Sequence, residues 1–299
     1  MHVFVTGGSG FVGQEVVRAL LARGHTVRCL VRPGAEKKMA PAPNLSFVPG
    51  DVTRPHTLAE GIAGCGALVH LVGIIREFPG RGITFERLHH QATANVVAAA
   101  RQAGCRRYLH MSALEAQTAP VAAYHQTKLQ AEELVKTSGL DYTIFRPSII
   151  YGPQDGFINL LKRQMETSRL LPIIGDGRYQ LQPVPVWQVA QAFALALEKP
   201  QTINGSYDVG GPEPVSMNDL VDTLAEVLGQ KVWKVHLPVF PLRFLASLLQ
   251  GFPWFPVTVD QITMLLAGNT CNPQAFYEDF GIAPVSLAEG LASYLKPLA

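Results

Sequence analysis

The chain opens with a short apolar stretch that ends in a cluster of glycines, Val3-Phe4-Val5-Thr6-Gly7-Gly8-Ser9-Gly10-Phe11-Val12-Gly13. A helical pattern follows at once, because Val12, Val16 and Leu20 recur at helix spacing. Strand, glycine turn and helix in this order are typical of the first half of a βαβ unit that binds a dinucleotide. This stretch therefore predicts the fold of the first half of the chain.

The three spaced glycines each have a predicted role. Gly8 allows a tight turn, Gly10 lets a pyrophosphate approach the backbone, and Gly13 lets the helix pack closely against the strand. The helix N-terminus then offers free N–H groups and a positive dipole end to the phosphates. A purely structural glycine turn is the alternative. We expect the loop to hold the cofactor through Thr6, Gly7, Gly8, Ser9, Gly10, Phe11, Val12 and Gly13.

The end of the second strand indicates which dinucleotide binds. An NAD site would place Asp or Glu there to hold the ribose 2′-hydroxyl. In the stretch Thr26–Pro33, Val31 and Arg32 occupy the end of the predicted strand, and no carboxylate is present. A guanidinium suits a 2′-phosphate, because its planar fork bonds two oxygens at once. We therefore predict NADP(H) in preference to NAD(H). The alternative is a solvated arginine at a strand end.

The third strand pattern, Leu45 to Val48, ends before Gly50-Asp51-Val52, where the adenine would lie. Asp51 is a predicted acceptor for the adenine amino group, and Val52 a predicted contact. An Asx turn at Asp51 accounts for the same residue equally well.

Composition excludes several classes of protein. Of the 299 residues 47% are hydrophobic and 16% charged, which fits a main domain with an appended lobe. The net charge of +2 argues against nucleic acid as a partner. Four scattered cysteines favour reduced, packed thiols, and neither a metal-ligating set nor a signal peptide is predicted. With no apolar run of about 20 residues, we expect a soluble, cytoplasmic protein without a transmembrane segment.

Strand and helix patterns alternate through the first half of the chain, and the strands are continuously apolar. This predicts an α/β fold with a doubly wound parallel Rossmann sheet covered on both faces. Residues 1–153 and about 183–212 would form the NAD(P)-binding domain. Residues from about 154 to 182 and from 213 to 299 would form a smaller α/β substrate lobe.

Three residues carry the predicted chemistry. Ser112 ends a strand pattern at the sheet edge where ligands bind, and Tyr124 and Lys128 lie four apart on the next helix. An ammonium beside a phenol lowers the phenol's pKa, so Tyr124 is the predicted acid/base. Ser112 would orient the substrate oxygen, and Lys128 would also hold the nicotinamide ribose. An ordinary exposed helix face is the alternative for the Tyr-x-x-x-Lys spacing alone.

These motifs together resemble an extended, atypical short-chain dehydrogenase/reductase. Further matching pieces are Arg146-Pro147-Ser148-x-x-Tyr151-Gly152-Pro153 and Tyr207-Asp208-Val209-Gly210-Gly211-Pro212. The chain is most similar to the branch of the NADPH-binding accessory subunit of respiratory complex I and its bacterial relatives. The resemblance implies further cofactor contacts at Lys128, Leu71, Val72, Gly73, Pro147, Ile149 and Ile150.

The chain departs from the extended pattern at two places. His89 stands where extended enzymes usually carry a catalytic-site Asn, and we expect it to be a partly exposed helical histidine rather than a proton relay. Trp187-Gln188 replaces the usual acidic residue after Pro-Val-x-Val. No second basic site for a nucleotide diphosphate is evident, which weakens the sugar-nucleotide epimerase interpretation.

Residues 239–256, here called the aromatic segment, are almost uncharged and too short and proline-broken to span a bilayer. We expect most of the large side chains to line or cap an apolar pocket beside Tyr124. The alternative is an exposed patch that contacts a membrane surface or a partner subunit. The side chains in question are Phe240, Phe244, Leu248, Phe252, Trp254 and Phe255.

Three functional hypotheses follow. The first is an NADP(H)-dependent oxidoreductase that transfers hydride to or from a small, largely apolar carbonyl or alcohol. The second is a non-catalytic NADPH-binding structural or assembly protein, which the complex I resemblance favours. The third is a sugar-nucleotide epimerase or dehydratase, by analogy of fold alone.

Overall fold

The computed structural model describes residues 1–114, 122–252 and 254–295. The chain divides into two compact units. The first comprises Met1–Pro147, Val186–Asp208 and Ala275–Ile282, and the second Ser148–Pro185, Val209–Gln274 and Ala283–Ala299. The segment Ala275–Ile282 thus lies in the first unit, although the sequence pattern assigned it to the substrate lobe.

The described residues form strands and helices that alternate along the first half of the chain. The strands are β1 (His2–Thr6), β2 (Thr26–Val31), β3 (Leu45–Pro49), β4 (Ala67–His70), β5 (Arg107–Met111), β6 (Asp141–Pro147), β7 (Ile150–Tyr151), β8 (Leu170–Ile174), β9 (Gln180–Leu181), β10 (Val184–Pro185), β11 (Gly205–Val209), β12 (Val215–Ser216) and β13 (Trp233–Leu237). The helices are α1 (Phe11–Ala22), α2 (Ala59–Ile62), α3 (Ala92–Gln102), α4 (Ala123–Lys136), α5 (Ile158–Thr167), α6 (Val186–Ala196), α7 (Met217–Leu228), α8 (Val239–Leu249), α9 (Val259–Ala267), α10 (Gln274–Phe280) and α11 (Leu287–Leu295). A π-helical turn, Glu86–Gln91, runs directly into α3.

The central sheet has seven strands in the order β11-β6-β5-β4-β1-β2-β3, and the pairs from β6 to β3 are parallel. The strand order reverses between β1 and β4, which is where ligands bind in open α/β sheets. The register sets Thr6 beside His70, and His70 beside His110. The predicted doubly wound Rossmann fold is confirmed.

The sheet forms because its strands are buried on both faces. Val3, Phe4 and Val5 are fully buried on β1, which explains their uninterrupted apolar run. The core on one side joins Leu68, Val96 and Ile144 from β4, α3 and β6. Parallel pairing brings the carboxyl ends of β1, β4 and β5 to one edge of the sheet, so the residues that follow these strands meet there.

The second unit has its own core and three short strand pairs, β7 with β10, β8 with β13, and β9 with β12. Its core includes Leu161, Leu220 and Leu291 from α5, α7 and α11. Ser216 and Asp219 form a capping box that starts α7, and Gly229 ends the helix in the left-handed region. A separate small cluster of Ala246, Phe255 and Ile262 holds α8 and α9 together.

Candidate functional site

The glycine loop has the geometry of a phosphate cradle. Gly7 has a φ of +80°, and a Cβ there would come within 2.9 Å of the Leu71 carbonyl carbon. A Cβ on Gly13 would overlap the carbonyl oxygen of Gly7, so both positions require glycine. Helix α1 begins after Gly10 without a side-chain cap, which leaves its first N–H groups for a ligand. These residues fit the phosphates of a dinucleotide.

Three further predicted cofactor contacts, Ser9, Phe11 and Val12, border this cradle and are half-buried. The loop after β4 lies against it, because the Leu71 N–H donates to the Thr6 carbonyl oxygen at 3.0 Å. A Cβ on Gly73 would lie 3.0 Å from Lys128 Nζ. Leu71, Val72 and Gly73 therefore connect the cradle to the catalytic candidates.

The side chain of Asp51 forms a local turn. Its Oδ1 accepts from the N–H and the hydroxyl of Thr53, both at 2.8 Å, which is the Asx turn considered above. Burial acts to raise the pKa of Asp51, but the bonds from Thr53 and the charges of Arg32 and Arg87 outweigh it and lower the pKa. Val52 is buried, and its carbonyl oxygen accepts from Asn95.

Arg32 is exposed directly after β2, and Arg87 supplies a second nearby cation that the sequence analysis missed. Arg87 follows the first residue of the π-helical turn, and its guanidinium bonds the hydroxyl of Thr53 at 3.4 Å. Two guanidinium groups therefore act on Asp51 beside the end of β2. No pattern within the sequence pairs Arg87 with Arg32, because they are far apart along the chain.

Ser112 follows β5, and its N–H donates to the Phe145 carbonyl oxygen at 2.8 Å. The side chain is 3% exposed, and its Oγ has no hydrogen-bond partner within the described part of the chain. Buried hydroxyls nearly always have a partner. The Ser112 hydroxyl is thus available to a partner outside the described residues.

Tyr124 and Lys128 lie one turn apart near the start of α4. Lys128 is 3% exposed, and its Nζ donates to the Met111 carbonyl oxygen at 3.1 Å. Burial lowers the pKa of Lys128 to about 8, against the opposing charge of Glu132. Burial raises the pKa of Tyr124 to about 12. The expected depression of the Tyr124 pKa is therefore wrong for this structure, because removal from water dominates.

The expected partial exposure of His89 is also wrong. His89 is buried, and its Nδ1 shares a hydrogen bond of 2.9 Å with the Thr127 hydroxyl. Its Nε2 lies 3.1 Å from both the N–H and the carbonyl oxygen of Ile74. Burial and then the Lys128 charge lower the pKa of His89 to about 2, so the ring is neutral. The ring also packs edge-on against Tyr124 at 5.3 Å.

His89 belongs to a larger group, the buried polar cluster, consisting of Thr6, His70, His89, Thr93, His110 and Thr127. His70 Nδ1 bonds the Thr6 hydroxyl at 2.6 Å, and His70 Nε2 bonds the Thr93 hydroxyl at 3.2 Å. His110 stacks on His70 at 5.6 Å, and neither of its ring nitrogens has a partner among the residues described. The cluster lies beneath the carboxyl ends of β1, β4 and β5.

The remaining cofactor candidates lie at the end of β6. The Pro147 carbonyl oxygen accepts from the Leu114 N–H at 3.0 Å within the first unit. Ile149 and Ile150 are half-buried and belong to the second unit, where Ile150 starts β7. Their contact with a cofactor remains a prediction.

The aromatic segment does not form the buried pocket that we expected. Of its large side chains only Phe255 is buried, while Phe240 is 82%, Phe244 62% and Trp254 68% exposed. Pro253 lies outside the described residues. The cause is local: α8 turns Ala246 and its neighbours toward a small core, and the opposite face of the helix is exposed within the described chain.

Comparison with known proteins places the chain in a family. The family model described as "NAD dependent epimerase/dehydratase family" matches residues 3–210. The chain belongs to this family. This membership confirms the class predicted from the sequence, an NAD(P)-binding Rossmann oxidoreductase of the short-chain dehydrogenase/reductase type.

Relatives within and around this family differ in their named roles. The chain is 32% identical to a 4-hydroxy-2-methyl-3-oxo-4-farnesyl-3,4-dihydroquinoline-1-oxide ketoreductase of Stigmatella aurantiaca over 269 residues, 83% of this chain and 79% of the relative. It is 27% identical to an Arabidopsis thaliana mitochondrial NADH dehydrogenase [ubiquinone] 1 alpha subcomplex subunit 9, over 98% of this chain and 77% of that protein. The UDP-glucose 4-epimerase of Thermotoga maritima shares the fold, with a TM-score of 0.80 at 21% identity over 99% of this chain and 98% of that one. In the described part of this family member, no helix is both long and apolar enough to cross a membrane.

Proposed function

We propose that the protein is an NADP(H)-dependent oxidoreductase whose substrate is a small, largely apolar carbonyl compound or the corresponding alcohol. The observation that carries this proposal is the buried Ser112 hydroxyl, which lacks a partner within the described residues. An unpaired buried hydroxyl costs free energy, and a substrate oxygen at the same sheet edge would relieve that cost.

The cofactor preference rests on Arg32 and Arg87. Both cations act on Asp51, close to the point where the adenosine ribose of a Rossmann-bound dinucleotide lies. Two guanidinium groups favour a 2′-phosphate over a 2′-hydroxyl, because each offers planar paired donors. Ser9 and the glycines between Gly7 and Gly13 would hold the pyrophosphate. The Thr6 side chain, expected from the sequence to contribute, is fully buried and bonds His70 instead.

The chain's own residues would complete the reduction. NADPH, when bound, supplies the hydride that adds to the carbonyl carbon. The Tyr124 phenol, protonated at neutral pH because its pKa is about 12, would donate its proton to the carbonyl oxygen as the alcohol forms. Ser112 would donate a hydrogen bond to the same oxygen, and Lys128 would hold the nicotinamide ribose. In the reverse direction Tyr124 would have to lose its proton first, so the raised pKa favours reduction.

The relatives support this proposal and its main alternative. The Stigmatella relative is named as a ketoreductase of a farnesylated compound, which agrees with an apolar carbonyl substrate. The Arabidopsis relative, named as a subunit of NADH dehydrogenase, covers nearly the whole chain and supports a non-catalytic NADPH-binding role. The epimerase likeness carries only the fold. A cytoplasmic location stays a prediction.

Turnover decides between the two roles. We expect the full chain to oxidise NADPH in the presence of an apolar ketone, such as a 2-alkyl-3-oxo ester or a farnesylated dihydroquinoline ketone. Tyr124→Phe should then lose about 10²–10⁴-fold in kcat, because it removes the proton donor. Tyr142→Phe on β6 is the matched control. NADPH binding without turnover on any carbonyl would favour the non-catalytic role.

Cofactor choice is tested by calorimetric titration with NADPH and NADH. Arg32→Ala should weaken NADPH binding about 10–100-fold and leave NADH binding nearly unchanged, because only NADPH carries the 2′-phosphate. Arg101→Ala, an exposed arginine on α3, is the control. Equal affinity of the parent protein for both cofactors would contradict the NADP(H) assignment.

A further inference from the structure

Helix α8 is apolar on two opposite faces. Val239, Leu242, Ala246 and Leu249 recur at helix spacing and pack toward the small core with Ile262. Phe240, Phe244 and Leu248 are four residues apart and project from the other side. Since a surface helix normally carries polar residues on its outer face, this second apolar face requires something to cover it.

Exposed aromatic side chains continue beyond the helix. Phe252 and Trp254 follow α8, are 51% and 68% exposed, and stack with ring centroids 5.9 Å apart. On β13, directly before α8, Trp233 and Val235 are also exposed. Large aromatic side chains with one apolar and one polar end are typical of the boundary between lipid and water.

The stretch from residue 227 to residue 259 contains cations but no carboxylates. Lys231, Lys234 and Arg243 are its charged residues, and the nearest acids along the chain are Glu226 before it and Asp260 after it. Lys234 pairs with Asp222 at 2.6 Å, but Lys231 and Arg243 are exposed, and Arg243 bonds only the Thr263 hydroxyl within the described chain. Arg243 lies on the flank of α8, between its core face and its outer face.

We propose that the aromatic segment, residues 239–256, docks the second unit onto the surface of an anionic lipid bilayer. Helix α8 would lie in the plane of the interface, with Phe240, Phe244 and Leu248 among the upper acyl chains. Arg243 would extend from the flank toward the headgroup phosphates. With 11 residues, α8 is too short to span the bilayer.

The charge of the segment favours a lipid surface over a second copy of the chain as the partner of this face. A symmetric dimer would bring the same face of two molecules together, so Arg243, the one charged residue of the segment, would face its own copy with no carboxylate of the segment to pair it. An anionic bilayer instead complements both the apolar side chains and the cations. Docking does not depend on turnover, so its failure would leave the proposed reductase function untouched.

Vesicle co-sedimentation of the full chain tests the proposal. The protein should sediment with vesicles of phosphatidylglycerol and phosphatidylcholine, more weakly with phosphatidylcholine alone, and less as salt is raised. Phe244→Ser with Leu248→Ser should lower the partition coefficient about 100-fold, since each buried side chain contributes about tenfold. Leu160→Ser, an exposed leucine on α5 of the same unit, should change it less than about twofold.

Arg243→Glu should weaken binding several-fold on the anionic vesicles and hardly at all on phosphatidylcholine, with Arg101→Glu as its control. Circular dichroism of each variant checks that it is folded. Absence of sedimentation, or sedimentation that the double variant does not reduce, overturns the proposal. A concentration-dependent dimer that the double variant abolishes, without vesicle binding, assigns the face to a second copy instead.

Discussion

The buried polar cluster of the first unit and the aromatic segment of the second both depart from the usual distribution of polar residues at the surface and apolar residues in the interior. The cluster places three histidines in a core where apolar side chains are the rule, and the segment places phenylalanines and a tryptophan in water. The histidines are largely provided for, since Thr6 and Thr93 bond His70, and Thr127 bonds His89.

The two regions therefore differ in what completes them. Within the cluster, threonine hydroxyls bond both ring nitrogens of His70 and the Nδ1 of His89, which fixes the orientation of those two rings. The outer face of α8 is apolar and exposed within the described chain, which is the basis of the docking proposed above.

Acid should destabilise the fold through the cluster, and this is the largest expected effect. Burial holds the pKa of His70 at about 3, that of His89 at about 2, and that of His110 well below its ordinary 6.5. Below pH 6.5 the unfolded chain therefore binds more protons than the folded chain, and the free energy of unfolding decreases as the pH is lowered. Each histidine should cost about 2 kcal/mol between pH 7 and pH 5.

Denaturant unfolding at a series of pH values measures this loss. His110→Leu should remove about one third of the contribution of the three histidines. At pH 7 the same variant should lie within about 1 kcal/mol of the parent, because a ring without partners among the described residues is replaced by an apolar side chain. His56→Leu, at an exposed position, is the control. An unchanged pH profile in His110→Leu would show that the ring is not buried and neutral.

His70→Leu should be destabilising by about 1–3 kcal/mol at pH 7, because it leaves the buried Thr6 hydroxyl without its partner. Thermal or denaturant unfolding gives the value, and Thr6→Val in the same background separates the lost bond from lost packing. If the double variant is no more stable than His70→Leu alone, the unpaired hydroxyl is not the cause.

Leu248→Ala should give the smallest effect, within about 0.5 kcal/mol of the parent in free energy of unfolding, because its side chain is already in water. Leu224→Ala, a fully buried leucine of α7 in the same unit, should cost about 2–5 kcal/mol. A large loss in Leu248→Ala would mean that the outer face of α8 is covered within the chain.

The fold was predictable because its signals are local. The glycine loop, the uninterrupted apolar strands and the spacing of Tyr124 and Lys128 all lie within short stretches of sequence. Their placement at one sheet edge follows from parallel pairing alone. Arg32 and Ser112 were singled out as candidates for the same reason, since each directly follows a strand.

The missed features depend on tertiary structure. His70 and His110 are single polar residues in apolar strands, and only the pairing of β4 with β5 brings them together. The pKa of Tyr124 follows from burial rather than from its spacing to Lys128. The exposure of Phe240 and Phe244 depends on which face of α8 the small core covers, and an all-apolar helix does not specify that face.

The π-helical turn Glu86–Gln91 makes the site sensitive to chain length. The N–H of Ala92 bonds the carbonyl oxygen of Arg87, five residues back rather than four, so the turn holds one residue more than an α-helix would. Deleting one residue here would restore α-helical winding and rotate every earlier side chain by about 100° relative to α3. His89 would then leave Thr127 and Ile74. An ungapped alignment with an α-helical relative would consequently compare His89 with the wrong neighbour by one position.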